Sequence, residues 1–165
     1  MGVDFLGFRV IEGQANAISA KTYQEIRGWV TGPQIVAELY GITDPAQVTG
    51  IMENFRPDYV ELGCAEFEMV GHALTVPFML SLKHDEPLPP LASRPAYIVI
   101  GSSDQLTRFI PDNEVLLIVK NISELDQALT HTGLSGVCLH GGVEIRPGLK
   151  TYDELADILE ALEAD

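Results

Sequence analysis

Four side chains and one glycine run carry the chemistry this chain could perform. Glu61 lies within the apolar run Asp58-Tyr59-Val60-Glu61-Leu62, Asp104 follows Gly101-Ser102-Ser103, and His140 ends Gly136-Val137-Cys138-Leu139-His140. A carboxyl buried at a strand end has its pKa raised and can shuttle a proton. An imidazole titrating near neutrality can do acid–base work or hold a phosphate. Gly141-Gly142-Val143-Glu144 leads from the last of those runs toward Pro147-Gly148. Glycines at a strand tip leave backbone N–H groups bare and approachable, the arrangement that cradles an anion. Lys120, at the end of Val115-Leu116-Leu117-Ile118-Val119, would supply a counter-charge.

Short β-branched runs alternating with helical periodicity must position these groups. The runs predict strands over Val3–Arg9, Gln34–Leu39, Asp58–Leu62, Phe78–Leu82, Ala96–Ile100, Glu114–Val119 and Gly136–His140. Between them, helices are predicted over Ala20–Val30, Pro45–Asn54, Glu66–Leu74, Asp104–Phe109, Ser123–Thr130 and Tyr152–Glu163. Asp44-Pro45 supplies an N-cap and a first-turn proline. Thr151-Tyr152-Asp153-Glu154 has the form of a capping box, and Leu155, Ile158, Leu159 and Leu162 then share one face. Leu88-Pro89-Pro90-Leu91 denies the fifth connection a helix. Such alternation means a parallel sheet covered by crossover helices, either doubly wound or a (β/α) barrel.

At 165 residues with no composition shift, a single domain over 1–165 is expected. The net charge of −14 opposes binding to nucleic acid and to anionic membranes. No apolar run approaches the roughly 20 residues of a membrane span, and no basic segment followed by an apolar one opens the chain. Cys64 and Cys138 offer neither metal spacing nor a disulfide framework, so a reduced, cytoplasmic protein without cofactor or metal is expected.

Several segments resemble the phosphoribosylanthranilate isomerase family. Val3-Asp4-Phe5-Leu6-Gly7-Phe8, with Ser19 opening a helix, is similar to its G-A-D-x-x-G-F strand and following I-S-P helix start. Asp58-Tyr59-Val60-Glu61-Leu62 stands where the family has D-x-V-Q-L-H-G. Gly142-Val143-Glu144, Pro147-Gly148 and Lys150 resemble its closing G-V-E-x-x-P-G-x-K motif. The resemblance implies an incomplete TIM-like (β/α) barrel of about seven parallel strands. It implies an aminoribose-phosphate ketol isomerisation in tryptophan biosynthesis, and a phosphate held at Gly141, Gly142, Val143 and Glu144, to which Lys120, read from its own chemistry, would add the counter-charge.

The same alignment implies lost catalysis. The family's base cysteine lies in a first strand, within K-I-C-G-I-T, that has no counterpart here. Tyr40-Gly41-Ile42-Thr43 echoes that motif with tyrosine in the cysteine's place. Gly101 stands where the family carries its acid, Gly63 replaces its histidine, and Lys120-Asn121 its Gly-Gly. The expectation is a catalytically degenerate barrel that binds a small phosphorylated metabolite or anion. The alternative is an active isomerase using Asp104 and Glu61 as substitute acid and base. With the family's first strand missing, the Val3–Arg9 and Gly136–His140 strands are expected as edges, which either pair directly in a smaller barrel or are covered by a second copy of the chain in a homodimer.

Overall fold

The computed structural model describes residues 2–141, 144–146, 149–150 and 153–163. The chain forms two compact units, one from Gly2–Leu82 with Pro87–Ala96, the other from Lys83–Glu86 with the residues from Tyr97 onward.

In the N-terminal unit four parallel strands run side by side in sequence order: β1 (Phe5–Arg9), β2 (Gln34–Glu38), β3 (Tyr59–Gly63) and β4 (Phe78–Leu82). The crossovers are α1 (Ala20–Trp29), α2 (Pro45–Phe55) and α3 (Cys64–Val70), which continues as a 3₁₀ turn over Gly71–Ala73. Local chemistry sets their starts. Ser19 accepts the Thr22 N–H and Asp44 accepts the Ala46 N–H, each capping its helix; Pro45 occupies the first turn of α2. Alternation along β3 sorts its side chains. Val60 and Leu62 are fully buried, while Tyr59, Glu61 and Gly63 turn to the opposite face. Tyr23 of α1 meets Phe8 and Phe55 edge-on, so α1, α2 and β1 share one apolar seam.

In the C-terminal unit β5 (Tyr97–Ile100), β6 (Val115–Val119) and β7 (Gly136–Leu139) are again parallel and in sequence order. A 3₁₀ turn over Ser103–Gln105 and α4 (Leu106–Phe109) link the first two, and α5 (Ile122–Leu129) the second pair. Buried runs such as Ile98-Val99-Ile100 and Val115-Leu116-Leu117 are what a parallel strand covered on both faces requires. The last helix, α6 (Asp153–Glu163), lies against α5 and buries Ile158. Its expected cap, Thr151-Tyr152, falls outside the described residues.

The predicted strands and helices all form, with ends differing by one or two residues, except that the helix expected over Glu66–Leu74 ends at Val70 and gives way to the 3₁₀ turn over Gly71–Ala73. One element escaped the pattern. Glu144–Arg146 (β8) and Leu149–Lys150 (β9) pair antiparallel as a small ribbon where the sequence read as a loop running into the last helix. At three residues and two, these strands are too short for a period-2 signal.

Candidate functional site

On the N-terminal unit, the face of the sheet turned away from Val60 and Leu62 carries a row of ionisable groups. Arg9 registers with Glu38, and Glu38 with Glu61, so the three side chains line one level near the carboxyl ends of β1, β2 and β3. The Tyr40 hydroxyl, two residues beyond Glu38, donates to Glu61 Oε1 at 2.5 Å. Burial pushes the Glu61 carboxyl above the usual range, the Tyr40 hydrogen bond opposes the shift, and the charge of Glu38 adds to it. Burial and then the Glu61 charge push the Tyr40 hydroxyl far up, so it is a donor at all ordinary pH. Glu38 is held by Arg9 at 3.5 Å and leans over β1. A Cβ at Gly7 would sit 2.9 Å from Glu38 Oε1, so the missing side chain there makes room for the carboxylate.

Sequence reasoning picked out Glu61 but saw Tyr40 only as a replaced cysteine. The signal was there: Glu38 and Tyr40 are i and i+2 at a strand end and therefore point to one side. What no single-strand pattern contains is the register that sets Glu38 beside Glu61.

On the C-terminal unit, the loop residues His84 and Asp85 meet Asp104, 20 residues away. His84 Nε2 lies 3.0 Å from Asp104 Oδ2, and Nδ1 lies 2.9 Å from Asp85 Oδ2. With both ring nitrogens facing carboxylates, the doubly protonated imidazolium is the favoured form. The hydrogen bond to Asp104, then the charges of Asp85 and Asp104, raise the His84 pKa. Hydrogen bonds from Ser102 and then His84 hold Asp104 below the usual carboxylate range. Lys83-His84-Asp85-Glu86 read in sequence as a solvated cluster; it is exposed, yet latched to the turn after β5.

The sign of that latch is testable. A raised folded-state pKa means its contribution is complete below the ordinary value of 6.5 and fades as pH rises through the folded midpoint. By NMR, His84 should titrate above 6.5 in the parent chain, and Asp104→Asn should bring the midpoint down. A parent midpoint at or below 6.5 would remove the latch.

Beside it, a cavity of about 230 Å³ is walled by Gly101, Ser102 and Ser103 at the tip of β5, Leu117 and Ile118 of β6, and Glu124 and Gln127 of α5. Gly101 is exposed, and a Cβ there would find nothing within 4 Å. Lys120 is exposed at the end of β6. Its N–H donates to Glu124 Oε2 at 2.8 Å, while Asn121 caps α5 by accepting the Glu124 N–H at 3.0 Å. These two backbone donors are thus engaged by the helix's own side chains. His140 and Gly141 are exposed just beyond β7, and Glu144 opens β8. Gly142 and Val143 lie outside the described residues. Cys64 is buried at the first turn of α3. Among the described residues no group of three or more His, Cys, Asp or Glu side chains is placed to hold a metal ion. No helix among them is long and apolar enough to cross a membrane.

Parallel strands in sequence order with crossover helices, and polar groups gathered at the strands' carboxyl ends, define an incomplete TIM-like (β/α) barrel of seven strands. Solved phosphoribosylanthranilate isomerases share this fold. The enzyme from Thermus thermophilus superposes with a TM-score of 0.73 at 18% identity, covering 99% of this chain and 89% of the enzyme. That from Thermotoga maritima gives 0.71 at 14%, covering 99% and 90%, and that from Pyrococcus furiosus 0.68 at 11%, covering 98% and 89%. No protein-family model and no curated protein sequence matches the chain. The resemblance read from the sequence motifs therefore holds as a likeness of fold across nearly the whole chain.

Proposed function

We propose that this protein is a phosphoribosylanthranilate isomerase-like barrel that has lost the isomerisation and keeps binding of a small phosphorylated metabolite. Gly101 carries the first half of the proposal. It stands at the strand tip where the resemblance places the family's proton donor, exposed and with open space where a side chain would go. The fold offers the position; the chemical group is missing. Asp104, the nearest substitute, is held ionised by Ser102 and His84, which suits an anion and not a general acid near neutral pH. Support for binding comes from the closing Gly142-Val143-Glu144 motif. It comes also from a solved isomerase of the same fold (TM-score 0.72, 15% identity) in complex with reduced 1-(o-carboxyphenylamino)-1-deoxyribulose 5-phosphate.

The test is turnover of phosphoribosylanthranilate followed by its fluorescence, beside an active isomerase as control, with calorimetric titration of that reduced product analogue. Binding without turnover is expected. Turnover above background would overturn the loss of catalysis and send attention to Glu61 and Asp104. Absence of both turnover and binding would overturn the ligand.

A further inference from the structure

Within the N-terminal unit, the segment Pro87–Ala96 stands where a crossover helix would lie. Pro87, Pro89, Pro90 and Pro95 each lack a backbone donor, and among the described residues none from Pro87 to Ser93 enters a backbone–backbone hydrogen bond. Without a helix in that place, a cavity of about 480 Å³ opens along the flank of α3 and its 3₁₀ turn. Phe67, Gly71 and Leu74 line it on the helix side, and Pro89, Pro90 and Ala92 on the other. Leu74 shortly precedes β4, so the cavity lies toward the amino end of that strand, away from the end at which Glu61 and Tyr40 meet. Two observations suit it to a flat ring. Phe67 stacks on Phe78, with centroids 4.9 Å apart and planes inclined by 25°, which fixes an aromatic surface in the wall. Gly71 has right-handed helical dihedrals (φ −56°, ψ −32°) that any residue adopts, so the backbone does not ask for glycine there. A Cβ at that position would lie 2.8 Å from Cδ2 and Cε2 of Phe67, so the glycine makes room for the ring. Opposite, the fixed φ of the prolines keeps the second wall preformed, which lowers the ordering cost of binding.

We infer that this cavity is a binding site for a flat aromatic molecule carrying an amine, its ring lodged between Phe67 and the prolines and its ammonium on Glu68. Glu68 and His72, one helical turn apart, reach the rim together with Ser93. All three are exposed, and among the described residues neither Glu68 nor His72 has a hydrogen-bond or ion-pair partner. The size fits: small-molecule pockets run to about 300–1,000 Å³. An α-helix, roughly 10 Å across, would fill the space with a single turn, so a small molecule suits it and a docked helix does not. The sign of the ligand's charge follows from the surroundings. Glu68 brings the lining its formal charge, and the chain as a whole carries −14. An ammonium is drawn to such a rim and a carboxylate is repelled. This site stands independently of the anion binding proposed above.

The test is a titration of the full chain with phenethylamine at pH 8, where imidazole is as a rule uncharged, read from the amide NMR spectrum. 3-Phenylpropionate and n-butylamine are the controls. Phenethylamine is expected to shift the amides of Gly71, His72, Ala92 and Ser93 saturably, in the millimolar range that so small a ligand allows. n-Butylamine, with no ring to bury, should bind at least about tenfold more weakly. 3-Phenylpropionate should bind at least about fivefold more weakly, from its charge alone. Gly71→Ala displaces the Phe67 ring and should weaken phenethylamine at least about fivefold. Glu68→Gln should abolish the preference for the amine over the carboxylate while the ring still binds. The absence of a saturable shift at those amides overturns the inference. So does an equal response to n-butylamine, or shifts spread over the acidic surface, either of which is plain charge attraction. 3-Phenylpropionate binding as well as phenethylamine overturns the choice of an amine. Should Gly71→Ala fail to fold, Glu68→Gln, at an exposed position, decides.

Discussion

Asp58→Ala is expected to destabilise the protein by about 2–3 kcal/mol, with Asp58→Asn costing less than half as much. Asp58 stands immediately before β3 and serves three elements. Its Oδ2 accepts the Ile35 N–H at 2.8 Å, at the start of β2, and its Oδ1 takes Arg27 Nη2 of α1 at 3.1 Å. Arg27 also donates to the Arg56 carbonyl at 2.5 Å, closing the end of α2. Removing the carboxyl leaves the Ile35 N–H, on a residue 3% exposed, without its side-chain acceptor. Such an orphan costs about 1–3 kcal/mol. The Arg27–Asp58 pair, whose side chains are 35% and 34% exposed, adds less, about 0.5 kcal/mol after screening. Asparagine keeps an oxygen for the Ile35 N–H and loses only the charge. Urea unfolding at neutral pH separates the cases: equal losses for the two variants would show that the ion pair, not the backbone bond, is the main term.

The second large effect has the opposite sign. Glu61→Gln should stabilise the protein above neutral pH, by about 1–2 kcal/mol, the scale on which neutral replacements of buried charges act. The folded-state pKa of Glu61 is raised, so the native state holds its proton where the unfolded chain has released it. Its favourable contribution is therefore complete below the ordinary carboxyl value of 4.5 and declines as pH rises through the folded midpoint. Glutamine keeps an acceptor for Tyr40 and has nothing to titrate. For a chain of this size about 1 kcal/mol corresponds to roughly 2–4 °C in Tm. Thermal melts from pH 4 to pH 9 should show the parent losing ground to Glu61→Gln as pH rises. Parallel curves would mean that Glu61 is ionised in the folded protein like any surface carboxylate.

The fold was legible because the parallel-sheet code is local. Buried runs such as Ile98-Val99-Ile100, helix starts at Ser19 and Asp44, and the proline pair at Pro89-Pro90 are each decided within a few residues. The site was legible only as isolated letters. Glu61, Asp104 and the His84 cluster could be named from the sequence, but Tyr40 reaches Glu61 across 21 positions and His84 reaches Asp104 across 20. Those pairings depend on strand register and on how one loop folds back, neither of which leaves a periodic trace. Asp58 makes the same point. It read as the first residue of a strand, while its side chain works as a staple between α1 and β2. The ribbon of β8 and β9 shows the lower limit, since two strands of three residues or fewer carry too little pattern to be read.

Gly7, in the middle of β1, and Gly101, just past the end of β5, differ in what a gene could do with them. At Gly7 a new side chain would meet Glu38 Oε1 at 2.9 Å, so the carboxylate would have to swing aside and its contact with Arg9 would change. At Gly101 nothing stands in the way and the backbone dihedrals are ordinary. Every glycine codon becomes an aspartate or glutamate codon by a single base substitution. A carboxyl at the tip of β5 is thus within immediate mutational reach, and packing raises no barrier against it. A carboxyl placed at Gly101 would therefore report on what the protein does and not on whether it folds.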